Sequence, residues 1–409
     1  MGRYGTIGGF AAAVTVWASA VAAQGDPGPV EGGAPTAGPV ELEVVHDWRT
    51  TAAAEKLAAA LEAHTPYRWV DGEAEEMVLV SRIIGGDPPE AALMPLGRRS
   101  AELARTGFLL DLTELSVAQD WRGKLADPAV LDACTIEGRV FCVPVTIRVA
   151  GWVMLSRPGF ARADVALPED WDRLRAAEEP LRAVGIPPLE LEGPDVLADA
   201  LASFTLAAGG RNAWLAAHRD GDARAVGTPA FTRGFEQVGR MRELASGAAT
   251  QTGEGPQATI GPAALITAGG SWLGPAEGDW KCLPGLGTAG PLAVTGDGFF
   301  FPNRGDAALA QAQLAFAGLL LDPSVQTALS NDLGVLPARR GVALTSLHPC
   351  TRRGLVALGA GGSVPARELL VPLPIEEELD TLLAAFWDDP DMTPADLQER
   401  YSEVIAQGR

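Results

Sequence analysis

From Val40 to Thr106 the chain alternates short apolar runs with amphipathic stretches, and this alternation constrains the fold more than any other feature. Val40–Val45, Tyr67–Val70 and Ala91–Met94 read as strands. Thr51–Ala63, Glu75–Ile84 and Ser100–Thr106 read as helices, the second closed by Gly85-Gly86-Asp87-Pro88-Pro89. Strands separated by helices do not pair as hairpins, so the succession predicts βαβ units and a mainly parallel sheet. Arg139–Val149 then predicts one long strand interrupted by Pro144. A proline in a strand lacks the N–H that a ladder needs, so it belongs at an edge, at a bulge or where a strand passes from one lobe to another. After Glu169 the pattern turns helical, with segments at Trp171–Ala177, Pro194–Ala208, Arg211–Ala217 and Thr228–Leu244. Strand character returns at Gly296–Pro302, and helices follow at Ala307–Leu321, Ser324–Leu333, Glu376–Trp387 and Pro394–Ala406. This order, in 409 residues, suits two lobes and a chain that crosses between them more than once.

The N-terminus reads as an export signal. Arg3 is the only charge in the first 25 residues, Ile7–Val21 is mostly apolar and small, and Ala20-Val21-Ala22 offers a cleavage site. An uncleaved membrane anchor is the alternative, but the stretch falls short of the ~20 residues that a spanning helix needs. Residues 1–22 are thus expected to be a signal peptide and 23–40 a Gly/Pro-rich linker, leaving a periplasmic product. Export makes the cysteines informative. Cys134, Cys142, Cys282 and Cys350 allow three full pairings. A hairpin with an odd loop centred on Gly138 would place Cys134 opposite Cys142, leaving Cys282 with Cys350. Four buried free thiols are the alternative.

Chemistry is conspicuous by its absence. No nucleophile elbow, P-loop or HExxH occurs, and Gly359-Ala360-Gly361-Gly362 reads as a glycine loop without dinucleotide-binding spacing. No CxxC occurs and the four histidines (46, 64, 218 and 348) are scattered, so neither a metal nor a cofactor is expected. With 52 acidic residues against 32 Lys and Arg, the net charge of −20 argues against a nucleic-acid partner. A hydrolase working through two carboxylates is the enzyme reading that remains, and nothing in the sequence selects the pair.

Several local patterns recur in a definite order. They are His46-Asp47-Trp48-Arg49-Thr50, Val143-Pro144-Val145-Thr146-Ile147, Gly151-Trp152 and Gly270-Ser271-Trp272. Asp279-Trp280-Lys281-Cys282-Leu283-Pro284-Gly285, Gly296-Asp297-Gly298-Phe299 and Gly334-Val335-Leu336-Pro337-Ala338-Arg339 follow. This series resembles the family 1 extracellular solute-binding proteins of carbohydrate ABC transporters, nearest the glucose- or mannose-binding branch, from about residue 42 to 400. The resemblance implies a type II periplasmic-binding-protein-like α/β fold, with a ligand cleft between two lobes joined by a multi-segment hinge. Lobe 1 is expected over 41–146 and 296–336 and lobe 2 over 147–295 and 337–409, with Pro144 and Gly296 at crossings. It further implies a monomer that serves an inner-membrane ABC permease.

A pyranose has apolar C–H faces and a rim of hydroxyls, so its site needs aromatic stacking and dense hydrogen bonding. The resemblance places Trp48, Trp152 and Trp272 at aromatic positions and Asp297 at the carboxylate that faces sugar hydroxyls. Core packing is the alternative for each Trp, and a turn residue for Asp297. Arg49 and Arg148, where they face the cleft, favour an acidic or less hydroxylated solute; surface arginines are the alternative. Departures are concentrated in the pocket. Ser271 stands where the family has an acid, Arg148-Val149 and Gly151 replace His-Arg and Asn, Ala91–Pro95 lacks Gln and His, and Val335 replaces Ser. Fewer hydrogen-bonding side chains discriminate less well among hydroxylated solutes. The expectation is therefore a transport protein for a sugar or sugar derivative, or a scaffold of that kind repurposed as a periplasmic sensor or interaction protein.

Overall fold

The computed structural model describes residues 42–46, 68–71, 76–191, 196–245, 265–268, 278–286 and 290–408. The expected helix over Thr51–Ala63 lies outside them. In chain order the first strands are β1 (Glu43–His46), β2 (Arg68–Asp71) and β3 (Ala91–Pro95). A two-residue turn then joins β4 (Thr135–Ile136) to β5 (Arg139–Val140). β6 (Cys142–Pro144) and β7 (Thr146–Val149) are separated only by Val145, and β8 (Trp152–Ser156) and β9 (Leu189–Leu191) come next. The later strands are β10 (Leu265–Ala268), β11 (Trp280–Pro284), β12 (Leu292–Thr295), β13 (Asp297–Phe300), β14 (Leu336–Pro337) and β15 (Ser363–Pro365).

The first sheet has the order β2-β1-β3-β13-β6. β1 runs parallel to β2 and β3, as the alternating sequence predicts, and β13 enters antiparallel between β3 and β6. Val44 and Val45 are both buried although they point to opposite faces, which is what a strand covered on both sides requires. Helix Ala307–Leu319 covers part of this sheet, with Phe316 meeting Phe299 and Phe301 edge to face at 5.4 and 5.7 Å. Two further four-stranded sheets, β11-β8-β10-β9 and β14-β7-β12-β15, and the two-stranded β4-β5 pair carry the rest of the described strands. The described residues form two hydrophobic cores. One gathers the first sheet together with β7, Trp152 and Leu358, so it runs through the crossing instead of stopping there. The other is mainly helical and includes Phe231, Phe235, Leu379 and Tyr401.

The long strand expected over Arg139–Val149 is three strands, β5, β6 and β7. The break after Pro144 follows from its missing N–H, and β6 and β7 then pair in different sheets. The hairpin loop is even, not odd: Glu137 and Gly138, both at positive φ, form a two-residue turn. Thr135 pairs with Val140, and the Phe141 N–H donates to the Cys134 carbonyl, so Cys142 sits one residue past the partner of Cys134. The two Cα atoms are 5.1 Å apart and the bridge forms on this diagonal. Cys282 and Cys350, 68 residues apart, form the second bridge and tie β11 to helix Pro349–Gly361. That helix also corrects the glycine-loop reading of 359–362. Gly359 to Gly361 close its last turn, and Gly362, at φ 70°, caps it.

Candidate functional site

Strand directions bring one set of chain segments together. β1 and β3 are parallel, so their ends, His46 and Pro95, lie on one edge of the first sheet. Asp297 begins β13 directly opposite Pro95, on that same edge. In the second lobe β10 ends at Ala268 opposite Trp152, the first residue of β8, and only Ala150 and Gly151 separate β8 from β7. Open α/β sheets take ligands beyond the carboxyl ends of their strands, where strand order reverses. Trp48 and Arg49 follow the end of β1, and Ser271 and Trp272 follow the end of β10; these four lie outside the described residues.

Asp297 and Arg148 are brought together by the crossing. β6 continues into β7 and β12 into β13 as neighbouring antiparallel paths, with Arg148 in register with Thr295. Gly296 makes the approach possible, because a Cβ there would lie 2.2 Å from the Thr146 carbonyl oxygen. Across this contact Arg148 grips Asp297 with two nitrogens, Nη2 to Oδ1 at 2.8 Å and Nε to Oδ2 at 3.1 Å. Thr146 Oγ1 donates to Oδ2 at 2.8 Å and accepts from the Asp297 N–H at 2.8 Å. The Asp297 side chain is 5% exposed and that of Arg148 37%. A charged hydrogen bond of this kind contributes about 1.5–3 kcal/mol, so the cluster stiffens the crossing as well as fixing the guanidinium plane. The quoted sequence motifs contained Thr146 without giving it a role. Its period-2 spacing from Arg148 is the signal that both share a strand face.

Trp152 is a correction. It is fully buried, and helix Pro349–Gly361 lies against it so closely that a Cβ on Gly354 would be 3.0 Å from the indole ring. The ring belongs to the core shared with Leu336 and Leu358 and offers no face to a solute. Core packing is the alternative that the sequence left open for this residue, because a tryptophan at a strand start is equally suited to either task. A cavity of about 510 Å³ lies elsewhere, between Asp127 and Pro128 on one side and Leu355 and Ser363 on the other, beside Arg339 and Arg340. It shares no residue with the Thr146–Arg148–Asp297 cluster.

The sequence profile of the bacterial extracellular solute-binding proteins matches residues 47–284. A probable sugar-binding periplasmic protein of Rhizobium meliloti (strain 1021) is 25% identical over 339 residues, covering 77% of this chain and 80% of the relative. One from Brucella suis biovar 1 (strain 1330) is 26% identical over 340 residues, covering 77% and 78%. Among solved structures, a chitin oligosaccharide binding protein superposes with a TM-score of 0.71 at 18% identity, covering 90% of this chain and 99% of its own. An ABC transporter solute-binding protein from Thermotoga lettingae TMO, bound with α-D-tagatose, gives 0.69 at 15% identity over 90% and 99%. The structural likenesses establish the two-lobed fold.

Proposed function

The chain belongs to the bacterial extracellular solute-binding proteins and has the substrate-binding role of an ABC importer; from that premise we propose that its solute is a sugar or sugar derivative. The solute is captured between the lobes and delivered to an inner-membrane permease. The observation that carries this reading is that the ends of β1 and β3 meet the start of β13 at one end of the first sheet, where β6 passes into β7 and β12 into β13. The names of the Rhizobium and Brucella relatives support a sugar. In this reading the lobes divide at the crossings, 41–146 with 296–336 and 147–295 with 337–409, and close by hinge motion over the solute. Trp48 and Arg49, which follow β1 in the sequence, and Ser271 and Trp272, which follow β10, supply contacts from both lobes in this reading. Residues 1–22 are cleaved on export, and the mature chain works as a periplasmic monomer.

Titration calorimetry of the mature chain against neutral sugars, sugar acids and small sugar alcohols tests the proposal. Binding of at least one, with a micromolar or tighter constant, is expected. A folded protein that binds none of them overturns it. One observation favours a second reading, a binding scaffold repurposed as a sensor or interaction protein: both carboxylate oxygens of Asp297 are already engaged within the chain. A deletion strain with normal solute uptake but a lost regulatory phenotype would select that reading.

A further inference from the structure

We propose that the cavity beside Arg339 and Arg340 is a second ligand site, away from the crossing, and that it takes an amphipathic organic acid, an anionic head carried on a hydrocarbon chain or ring. The inference does not depend on which solute the crossing serves.

The cavity holds about 510 Å³, within the range of small-molecule sites, and its whole wall falls within the described residues. Residues from 126–128, 339–344, 355–359 and 362–363 build it. The backbone of the arginine pair is fixed against the wall: the Ala126 N–H donates to the Ala338 carbonyl at 2.7 Å, and the Arg340 N–H to that of Lys124 at 2.8 Å. Each guanidinium is then held by one nitrogen. Arg339 Nη1 donates to the Leu321 carbonyl at 2.7 Å, and Arg340 Nε to the Leu125 carbonyl at 2.8 Å. These acceptors are neutral, and among the described residues neither arginine is ion-paired with a carboxylate. Arg339 Nε is buried with no acceptor. A guanidinium has five N–H donors, so both arginines keep donors beyond these bonds.

The carboxylates nearby are engaged elsewhere. Asp127, the acid in the wall, is 4% exposed and caps helix Pro128–Ala133, where Oδ1 accepts the Ala129 N–H at 2.9 Å. Asp322 lies near enough to feel the charge of Arg339, but it caps helix Pro323–Leu333 through Ser324 and is not part of the wall. Two cations against one withdrawn carboxylate leave the cavity positive, and a guanidinium already oriented by a bond of its own suits the two-point geometry of a carboxylate. The rest of the wall is largely apolar or bare. Val342 and Leu358 are buried, Leu355 packs against the first core, and Leu344 stays 52% exposed. A leucine left in water beside a cavity is stabilised by an apolar group that covers it. Glycines open the space: no atom lies within 4 Å of a Cβ built on Gly341, Gly359 or Gly362. A small inorganic anion would leave the apolar wall wet, and a plain hydrocarbon would leave the arginines without a counter-charge. An amphipathic acid meets both.

Calorimetry on the mature protein compares 3-phenylpropanoate with 3-phenylpropanamide and hexanoate with hexanamide, with acetate as the acid that lacks an apolar body. At least one of the two larger acids is expected to bind tenfold or more tightly than both its amide and acetate. Arg340→Gln is expected to weaken that binding at least fivefold. Gly359→Leu, which sends a side chain into the open space from a helical position, is expected to weaken it at least as much. Circular dichroism melts establish that each variant is folded, and the acid-to-amide ratio of the wild type stands independently of both. The proposal is overturned by a protein that binds neither larger acid, by amides or acetate binding as tightly, or by a folded variant that keeps the full affinity. None of these outcomes bears on sugar binding at the crossing, which is measured separately.

Discussion

His218 shows how far one residue's chemistry is set by its surroundings. It is wholly buried on helix Arg211–His218, with Nδ1 2.9 Å from the Trp214 carbonyl oxygen and Nε2 2.7 Å from the Tyr401 hydroxyl. Burial pushes its imidazole down to about 3, and the positive charge of Arg367 acts in the same direction. An unfolded histidine titrates near 6.5. Between these values the unfolded chain binds a proton that the native state does not. The stability is therefore fully present above pH 6.5 and is lost as the pH falls toward 3. The slope is expected to approach ~1.4 kcal/mol per pH unit, and its clearest window is pH 6.5 to 5, before most carboxylates titrate. Urea unfolding across that window should show the decline in the wild type and a shallower one in His218→Gln. Equal slopes would remove His218 as the cause. The same burial raises the Tyr401 hydroxyl to about 12, so it keeps its proton in the pair.

At the level of elements, the crossing depends on a missing side chain. Gly296 sits between β12 and β13, where any Cβ would meet the Thr146 carbonyl oxygen at 2.2 Å and its carbon at 3.1 Å. Backbone cannot swing aside as a side-chain end can. Gly296→Ala is expected to part the two crossing strands, weaken the bonds between Thr146 and Asp297, and cost about 2–3 kcal/mol in urea unfolding. Gly359→Ala is the contrasting case, because nothing lies within 4 Å of a Cβ there and the position is helical. It should be neutral or stabilising by up to about 1 kcal/mol. Similar losses from both substitutions would contradict the close-approach account. These glycines also show what sequence conveys about elements. Gly359 to Gly361 have low helix propensity, but Leu355, Leu358 and the bridge from Cys350 to Cys282 hold that segment helical. The break at Pro144 was legible because it is local, a donor missing from a ladder.

At the scale of the whole fold, the two cores are tied at a place away from the crossing. Arg98 begins helix Arg98–Arg105, whose Leu103 and Ala104 pack in the first core. Its guanidinium donates to the carbonyl of Leu370 and, at 3.2 Å, to that of Val371, both in the second core. Arg99 adds an ion pair to Glu377 at 3.6 Å, which is exposed and worth little by itself. Two hydrogen bonds from a charged donor are enough, at about 1.5–3 kcal/mol each, to bias the range of lobe orientations. Arg98→Ala should broaden the solute-free distance distribution in small-angle X-ray scattering, with saturating solute restoring a narrower one. Superimposable wild-type and variant profiles without solute would show that the crossing strands alone set the lobe geometry.

The sequence by itself determined the parallel start, the change to helices, the late return to strand and the interruption at Pro144. All of these are local periodicities or single-residue constraints. It also limited the cysteines to three pairings and supplied the family resemblance, to which the family match and the two-lobed fold both belong. Only the tertiary structure decided what the marked residues do. Trp152 became core because a helix nearly 200 positions later covers it, and Asp297 became half of an ion pair because Arg148, 149 positions earlier, runs beside it. Hydrophobic period reports whether a residue faces inward. Which group it meets there depends on strands and helices that only folding brings within a few ångströms.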